Sequence, residues 1–360
     1  MSGGLYGRGK APERECMKLP FWPYVDQQRW ELSLEPADYF DDSKGARANH
    51  SDKSNEKAVK GYGRFLTYLH HHGREALKLS PEDRITPERV KDYIGHLQDI
   101  GNSTQTLLGR LQELQEVAKV MDSDKDWSFI NDRASRVRAR HKPVRNKKDI
   151  RLSDELLALG LKLMVQATTH EGLEAAIRFR DGLIIAFLAL VPVRRRNLAD
   201  LILGENLIVI YGGWLVTYDE TETKTHEPHE ALLPGILNEP LQAYLSIHRP
   251  YLLDREGRWT SDPKNALWIS KDGSAMTQMA LYDRVRARTK DEFGKAMSIH
   301  AFRYAAATTI AIADPEHVRI AAPLLGHRTF STTETYYQQA STLEAHREYV
   351  ETIAKRRIRS

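Results

Sequence analysis

The sequence predicts a mostly α protein (α+β) with two mainly helical domains, the second of which also carries a small antiparallel sheet. Apolar residues recur at helical spacing over most of the chain from residue 51 onward. Three short strand-like runs, "NLIVIY", "WLVTYDET" and "HEALLP", follow one another between residues 206 and 234. With 360 residues, of which 41% are hydrophobic, the chain is long enough to bury two cores.

The first domain is predicted at residues 51–140 as a set of four helices. The first begins at the cap-like Ser51 and ends at Gly73. The second opens with Thr86 as its cap and Pro87 at the first helical position. The third and fourth lie in "STQTLLGRLQELQEVAKVMD" and "WSFINDRASRVRAR".

The segments that flank this domain differ from it in composition. Residues 1–50 are rich in Pro, Gly and Trp, and we expect an extension that packs onto a neighbour through its aromatic residues. Residues 141–151 form a basic linker within a stretch, 133–151, that holds nine Lys or Arg and one Asp. Such a stretch is either solvated surface or a contact for nucleic-acid phosphates, and composition alone does not distinguish the two.

The second domain is predicted at residues 152–340. It opens with the capped helix "SDELLALGLKLMVQA" and continues with a buried helix that Pro192 ends. The three strands follow, and the rest is helical. Residues 341–360 form a tail with apolar residues along one helical face.

Composition excludes two classes of protein. The single Cys16 rules out a disulfide framework within the chain. The longest apolar run, Gly182–Val193, is too short to span a bilayer, and "MSGGLYGRGKAPERE" contains no signal-peptide core. We therefore expect a soluble cytoplasmic protein without a membrane partner.

Two groups of cations are candidates for binding an anion. Arg194 follows the buried helix directly and is either an anion clamp or a helix-end cation favoured by the dipole. His300 and Arg303 are three residues apart at the start of a helix, hence on one face of it. Taken alone, each motif is weak evidence.

Two further motifs add a lysine, a histidine and a tyrosine. Lys224 lies in the turn between two predicted strands, where a lysine is usually solvent-facing. The stretch "LLGHRTFSTTETYYQQA" contains His327 and the adjacent tyrosines Tyr336 and Tyr337. Most tyrosines belong to a core or a surface, so this motif too needs the others beside it.

In this order, the motifs resemble those of the tyrosine recombinase (phage integrase) family. The match consists of Arg-x-x-Asn-Leu from Arg194, a β-turn lysine, His-x-x-Arg, Leu-Gly-His and a tyrosine nine residues further on. It spans about residues 152–337. The resemblance implies the tyrosine recombinase fold, with residues 51–140 as a helical core-binding domain and residues 152–340 as the catalytic domain.

The resemblance also implies covalent exchange of DNA phosphodiesters. Tyr336 would attack the scissile phosphate and form a 3′-phosphotyrosyl link. Arg194 and Arg303 would hold the non-bridging oxygens. The remaining roles are a base or further donor for His300, the proton donor to the leaving 5′-oxygen for Lys224, and a hydrogen bond to phosphate or nucleophile for His327.

Spacing selects between the two tyrosines. The family's nucleophile lies nine residues after the histidine of Leu-Gly-His, and counting from His327 gives Tyr336. Adjacent helical residues point about 100° apart, so only one of the pair can face a phosphate. We expect Tyr337 to pack against its own domain.

The partner implied by the resemblance is double-stranded DNA. A homo-tetramer would bind two DNA sites, with possible accessory proteins. The resemblance thus implies a cytoplasmic protein associated with the nucleoid. Residues 341–360 would dock on a neighbouring protomer. Seven cations are expected to contact the DNA backbone: Arg136, Arg138, Arg140, Lys142, Arg145, Lys147 and Lys148.

Several alternatives stay open at this point. Asn197 stands where the family often has a carboxylate, and Arg195 is a rival to Arg194. Neither a cofactor nor a metal is expected, because the arginines would neutralise the charge of the phosphate. The pair His226 and His229 is rejected as a zinc site, because it has no cysteine partner and its spacing is usually incidental. A catalytically silent DNA-binding regulator and a nicking-closing enzyme similar to type IB topoisomerases are the alternative functions.

Overall fold

The computed structural model describes residues 14–36, 45–140, 151–223, 227–255, 263 and 265–313. The chain divides into two compact units, Met1–Lys147 and Lys148–Ser360. Both are mainly helical and the second contains a three-stranded antiparallel sheet, which confirms the predicted fold class. Among the described helices, none combines the length and the apolar character needed to cross a membrane.

The helices of the first unit begin where capping residues predict them. The side chains of Ser51, Thr86 and Ser103 each accept a hydrogen bond from a backbone N–H of the helix that follows. The helices are α1 (Tyr24–Leu34), α2 (Asp52–His72), α3 (Pro81–Arg84), α4 (Pro87–Asp99), α5 (Thr104–Met121) and α6 (Ser128–Arg140).

The segment before α2 is part of this unit's core. Trp22 and Trp30 are buried together with Tyr62 of α2, and the Trp22 and Tyr62 rings meet edge to face at 4.8 Å. The Trp22 Nε1 donates to the carbonyl oxygen of Met17, 3.1 Å away. Trp22 and Trp30 of the predicted extension therefore pack onto the helices that follow them in sequence, whereas Tyr24 is exposed.

A buried polar cluster joins α1, α2 and α3. Tyr62 Oη donates to Asp26 Oδ2 at 2.8 Å, and Arg84 donates to both Asp26 and Tyr62. Burial raises the pKa of Asp26 although Arg84 and the Tyr62 hydroxyl act to lower it. Arg84 also donates to the carbonyl of Ala76, so its guanidinium is satisfied away from water.

The second unit has one hydrophobic core, to which its two long helices and its sheet both contribute residues. Its elements are α7 (Ser153–Ala167), α8 (Gly172–Leu190), α9 (Arg195–Ala199), β1 (Leu207–Ile210), β2 (Gly213–Tyr218), β3 (His229–Leu232), α10 (Asn238–Ala243), a π-helical turn (Tyr244–His248), α11 (Arg249–Leu253), α12 (Gln278–Phe293) and α13 (Ile299–Ala313).

Register determines which face of the sheet points to the core. The strands run antiparallel in the order β1-β2-β3. Val216 pairs with Leu207 on one side and Ala231 on the other, and Tyr218 pairs with His229. Val216 and Tyr218 are buried, so this row of pairs forms the inner face.

The helix α8 is held in place by a buried carboxylate. Asp181 Oδ1 accepts from Arg180 Nη2 at 2.7 Å, while Oδ2 accepts from Arg284 Nη2 at 2.6 Å and Arg288 Nε at 2.9 Å, both on α12. Burial alone would raise the pKa of Asp181, but Arg180 and Arg284 outweigh it and the pKa lies below its ordinary value.

Two glycine-to-alanine substitutions test whether the segment before α2 belongs to the first unit's core. A Cβ at Gly63 would overlap the carbonyl oxygen of Met17, whereas one at Gly95 of α4 meets open space. We expect Gly63→Ala to lower the free energy of unfolding by about 1–3 kcal/mol. Gly95→Ala should raise it by about 0.5–1 kcal/mol, because a helical glycine is replaced without a clash. Urea unfolding followed by tryptophan fluorescence measures both, and effects of the same sign would contradict the packing described here.

Removing the charge of Asp181 tests the link between α8 and α12. The side chain is 1% exposed, so Asp181→Asn leaves buried guanidinium groups uncompensated and should cost about 3–5 kcal/mol of unfolding free energy at pH 7. Since the folded pKa is depressed, this stabilisation is complete above the ordinary pKa of aspartate and is lost as pH falls through the folded pKa.

The matched control is Asp200→Asn. The pair that Asp200 forms with Arg196 is 3.3 Å long and more than half exposed on both sides. Its loss should change the free energy of unfolding by less than about 0.5 kcal/mol. Equal effects at Asp181 and Asp200 in urea titrations followed by circular dichroism would show that the buried cluster does not hold the two helices together.

Candidate functional site

The turn between α8 and α9 positions Arg194. The helix α8 ends at Leu190, two residues before Pro192, because proline cannot continue the hydrogen-bond ladder. Arg194 occupies the N-cap position of α9, and its side chain is half-buried. Burial lowers the pKa of the Arg194 guanidinium below its ordinary value.

Arg303 of α13 reaches the same turn. Its Nη1 donates to the carbonyl oxygen of Pro192 at 2.7 Å, and only 5% of the residue is exposed. Pro192 lies two residues before Arg194 in sequence. Two arginines that are 109 residues apart in sequence are therefore brought to one backbone turn.

Arg195, the sequence rival of Arg194, has a different environment. Its guanidinium carbon lies 5.5 Å from the centre of the Tyr282 ring, and the residue is exposed. This contact directs Arg195 toward α12. Arg194, by contrast, lies close enough to His229 to influence its charge, as Arg303 does.

His300 lies in the first turn of α13, three residues before Arg303. The spacing places both side chains on one face of the helix, as the sequence predicts. His300 is exposed, and its ring meets the ring of Tyr304 edge to face at 4.8 Å. An exposed imidazole beside a buried arginine, at a helix N-terminus, can meet an anion that arrives from solvent.

Thr223 and Glu227 stand on either side of residues 224–226 in the sequence and are hydrogen-bonded to each other. The buried Thr223 Oγ1 donates to the carbonyl of Glu227 at 2.7 Å and accepts from the Glu227 N–H at 3.1 Å. Lys224 itself lies outside the described residues. The described residues on either side of it, 223 and 227, are thus held together.

Asn197 connects α9 to this hairpin. Its Nδ2 donates to the carbonyl of Glu222 at 3.4 Å, and its backbone carbonyl accepts from Tyr218 Oη at 3.0 Å. Glu222 in turn accepts from Asn206 Nδ2 at 2.9 Å. The Asn197 amide therefore links α9 to the segment that follows β2.

The structure adds a histidine that sequence reasoning does not select. His229, the first residue of β3, is half-buried and lies on the inner face of the sheet opposite Tyr218. Burial lowers the pKa of its imidazole, and the positive charges of Arg303 and Arg194 lower it further. The period of two along β3 is the sequence signal for its inward direction, since the inward Ala231 is two residues away.

Several predicted site residues lie outside the described residues, and for them the sequence prediction stands as a prediction. The structure brings Arg194 and Arg303 together, with His300 on the same helix as Arg303. The residues beyond the described ranges are Lys224, His327, Tyr336, Lys142, Arg145, Lys147 and Lys148.

The described part of the basic stretch lies on α6 of the first unit. Arg136, Arg138 and Arg140 are exposed, while Val137 between them is buried. Arg136 and Arg140 are four residues apart and so share one face. The last turn of α6 therefore presents a positively charged surface to solvent.

Comparison with known proteins identifies relatives of this chain. No family model matches it. It is 24% identical over 261 residues to the tyrosine recombinase XerD of Bifidobacterium longum (strain NCC 2705), a match that covers 71% of this chain and 78% of the relative.

Two solved structures share its fold. One is the XerH site-specific recombinase bound to a palindromic difH substrate in a post-cleavage complex, with a TM-score of 0.59, 17% identity and coverage of 98% of this chain and 100% of that one. The other is the Tn1549 transposon integrase in complex with transposon right end DNA, with a TM-score of 0.56, 13% identity and coverage of 90% and 98%. The similarity to XerD and these two structures show that the chain has the fold of the tyrosine recombinases.

Proposed function

We propose that this chain is a site-specific recombinase that cuts and rejoins double-stranded DNA through a 3′-phosphotyrosyl intermediate. The observation that carries the proposal is the pairing of Arg194 and Arg303 at the α8–α9 turn, where Arg303 is fixed by the Pro192 carbonyl. Two guanidinium groups at one site match the two non-bridging oxygens of a phosphodiester. DNA as the partner is supported by the DNA complexes of the two structural neighbours.

In the proposed cleavage step, Tyr336 Oη forms a bond to phosphorus and the bond from phosphorus to the 5′-oxygen breaks. The tyrosine proton passes to His300 acting as base, and the leaving oxygen takes a proton from Lys224. Arg194 and Arg303 offset the negative charge that builds on the phosphoryl oxygens, and His327 donates to the phosphate or the nucleophile. Attack by a 5′-hydroxyl from a partner strand reverses the step.

The arginines are needed because an ordinary tyrosine, with a pKa near 10, is protonated and weakly nucleophilic at neutral pH. The permanent charge of a guanidinium provides stabilisation that does not depend on a bound metal ion.

The first helical unit would bind the DNA backbone through the α6 arginines and the basic residues that follow. Exchange between two DNA sites would take place in a homo-tetramer linked by residues 341–360.

The covalent adduct distinguishes this proposal from its alternatives. The purified protein is incubated with supercoiled DNA that carries the sequence flanking its own gene, then denatured in detergent, and protein–DNA adducts are detected by gel electrophoresis. We expect an adduct with the native chain and with Tyr337→Phe, and none with Tyr336→Phe, because the nucleophile of the tyrosine recombinases lies nine residues after the histidine of Leu-Gly-His.

Each other outcome has a definite meaning. An adduct that disappears only in Tyr337→Phe would move the nucleophile by one position. DNA binding without an adduct in any sample would favour a silent DNA-binding regulator. Adducts that relax supercoils but never join two DNA molecules would favour a nicking-closing enzyme similar to type IB topoisomerases.

Salt dependence tests the α6 arginines. The triple substitution of Arg136, Arg138 and Arg140 by glutamine should weaken binding to all DNA duplexes alike, because interactions with phosphate carry no sequence information. The slope of log K against log salt should become shallower by about 2.7, since each phosphate that the protein no longer neutralises reduces it by about 0.9. Fluorescence anisotropy on two unrelated duplexes measures both quantities, and an unchanged slope would assign these arginines to solvated surface.

A further inference from the structure

His229 is the first residue of β3 and lies on the inner face of the sheet. It pairs with Tyr218 in the sheet, and the hydroxyl of Tyr218 donates to the backbone carbonyl of Asn197 in α9. Directly paired residues of an antiparallel sheet project to the same face, with Cβ atoms about 4.5–5.5 Å apart. The imidazole is therefore on the side of the sheet that faces α9.

Two guanidinium groups approach this imidazole from different elements. Arg194 comes from the turn before α9 and Arg303 from α13, and both are close enough to act on the charge of His229. In the described part of the chain, these are the charged groups that act on it. Arg303 is anchored to Pro192, and Tyr218, the sheet partner of His229, is anchored to Asn197. The positions of Arg194, Arg303 and His229 therefore all depend on the backbone between residues 192 and 197.

A purely structural histidine does not account for this arrangement well. A histidine that fills a core gap gains nothing from two adjacent cations, which oppose its protonation and restrict it to the neutral form. Zinc is a poor occupant for the same reason, because two positive charges repel a divalent cation. An anion reverses the balance, since it attracts both guanidinium groups and favours a protonated imidazole.

We propose that His229 is a further phosphate-contacting residue of the site, beside Arg194 and Arg303, and that it takes up a proton when the DNA phosphate binds. This rests on the proposed function, in that the anion is the phosphate that Tyr336 attacks. In the absence of DNA, the imidazole is neutral at pH 7. The bound phosphate, and still more the doubly charged pentacoordinate state, stabilises the imidazolium and receives a charge-assisted hydrogen bond from it.

The proposal has a definite pH dependence. A bound anion raises the pKa of His229 above the value in the free protein, so binding is coupled to proton uptake. The contribution of His229 is complete below the free-state pKa and is lost as pH rises through the bound-state pKa. Because the free-state pKa is below the ordinary value for histidine, near 6.5, the effect is largest at mildly acidic pH.

The test compares His229→Gln with His248→Gln. Glutamine keeps a hydrogen-bonding side chain but cannot be protonated near neutrality. His248 is the matched control, because it is also half-buried and its pKa is also lowered, but with burial as the cause and the Phe179 ring stacked on it at 4.2 Å. Thermal unfolding of each variant checks that the fold is retained.

The first readout is the rate of adduct formation on the flanking DNA between pH 5.5 and 8.5. We expect His229→Gln to form adducts about 10- to 100-fold more slowly than the native chain near pH 6, because one charge-assisted hydrogen bond is lost. The difference should be smaller at pH 8.5. His248→Gln should follow the native profile. If the native chain forms adducts and both variants match it at every pH, the role of His229 is refuted while the recombinase function stands.

The second readout does not need catalysis or a particular DNA sequence. The imidazole resonances of the native chain are titrated by NMR with and without orthophosphate, and the signals of His229 and His248 are assigned from the two variants. Phosphate should raise the pKa of His229 by about one unit or more and leave that of His248 in place. If no adduct forms, the proposed cleavage fails and this titration decides alone, an unshifted His229 overturning the inference.

Discussion

The hydrogen bond from Arg303 to the carbonyl of Pro192 is the interaction on which the site depends. It joins α13 to the turn that follows α8. Arg303 is thereby held at Pro192, two residues before Arg194. The proline ends α8, and its carbonyl then faces α13 as an acceptor. The end of α8 at this proline therefore has two effects: the chain turns toward Arg194, and the proline carbonyl becomes available to bind Arg303. A buried guanidinium without such an acceptor would carry a large desolvation cost.

Much of the fold follows from local signals in the sequence. The caps at Ser51, Thr86 and Ser103 and the strand-like runs give the helix starts and all three strands. Helix α1 is absent from the prediction because apolar residues do not mark its buried face. The helix buries Asp26 and Ser33 beside Trp30, while Tyr24 is 71% exposed. Helix α9 is missed for another reason, since five residues are too few to show a period of 3.6.

The site could be predicted only in part. Residue order and spacing point to Arg194, His300 and Arg303, because each belongs to a motif of only four or five consecutive residues. The hydrogen bonds of Asn197 with Glu222 and Tyr218 join residues more than 20 positions apart in sequence, so no local pattern reveals them. His229 is missed for the same reason. Its environment is created by α9 and α13, which are remote in sequence. The local sequence around His229 shows only His226, and this pair suggests a zinc site rather than an anion site.

Asn197 and His229 together describe how charge is distributed in this site. A carboxylate at position 197 would place a negative charge one helical turn from Arg194 and offset part of its field. The amide instead donates to the hairpin carbonyl of Glu222 and leaves that field in place. The field reaches His229 and helps to keep its imidazole neutral in the free protein. A site built in this way concentrates positive charge where an anion is to be bound, and the substrate phosphate itself then completes the charge balance of the two arginines and the histidine.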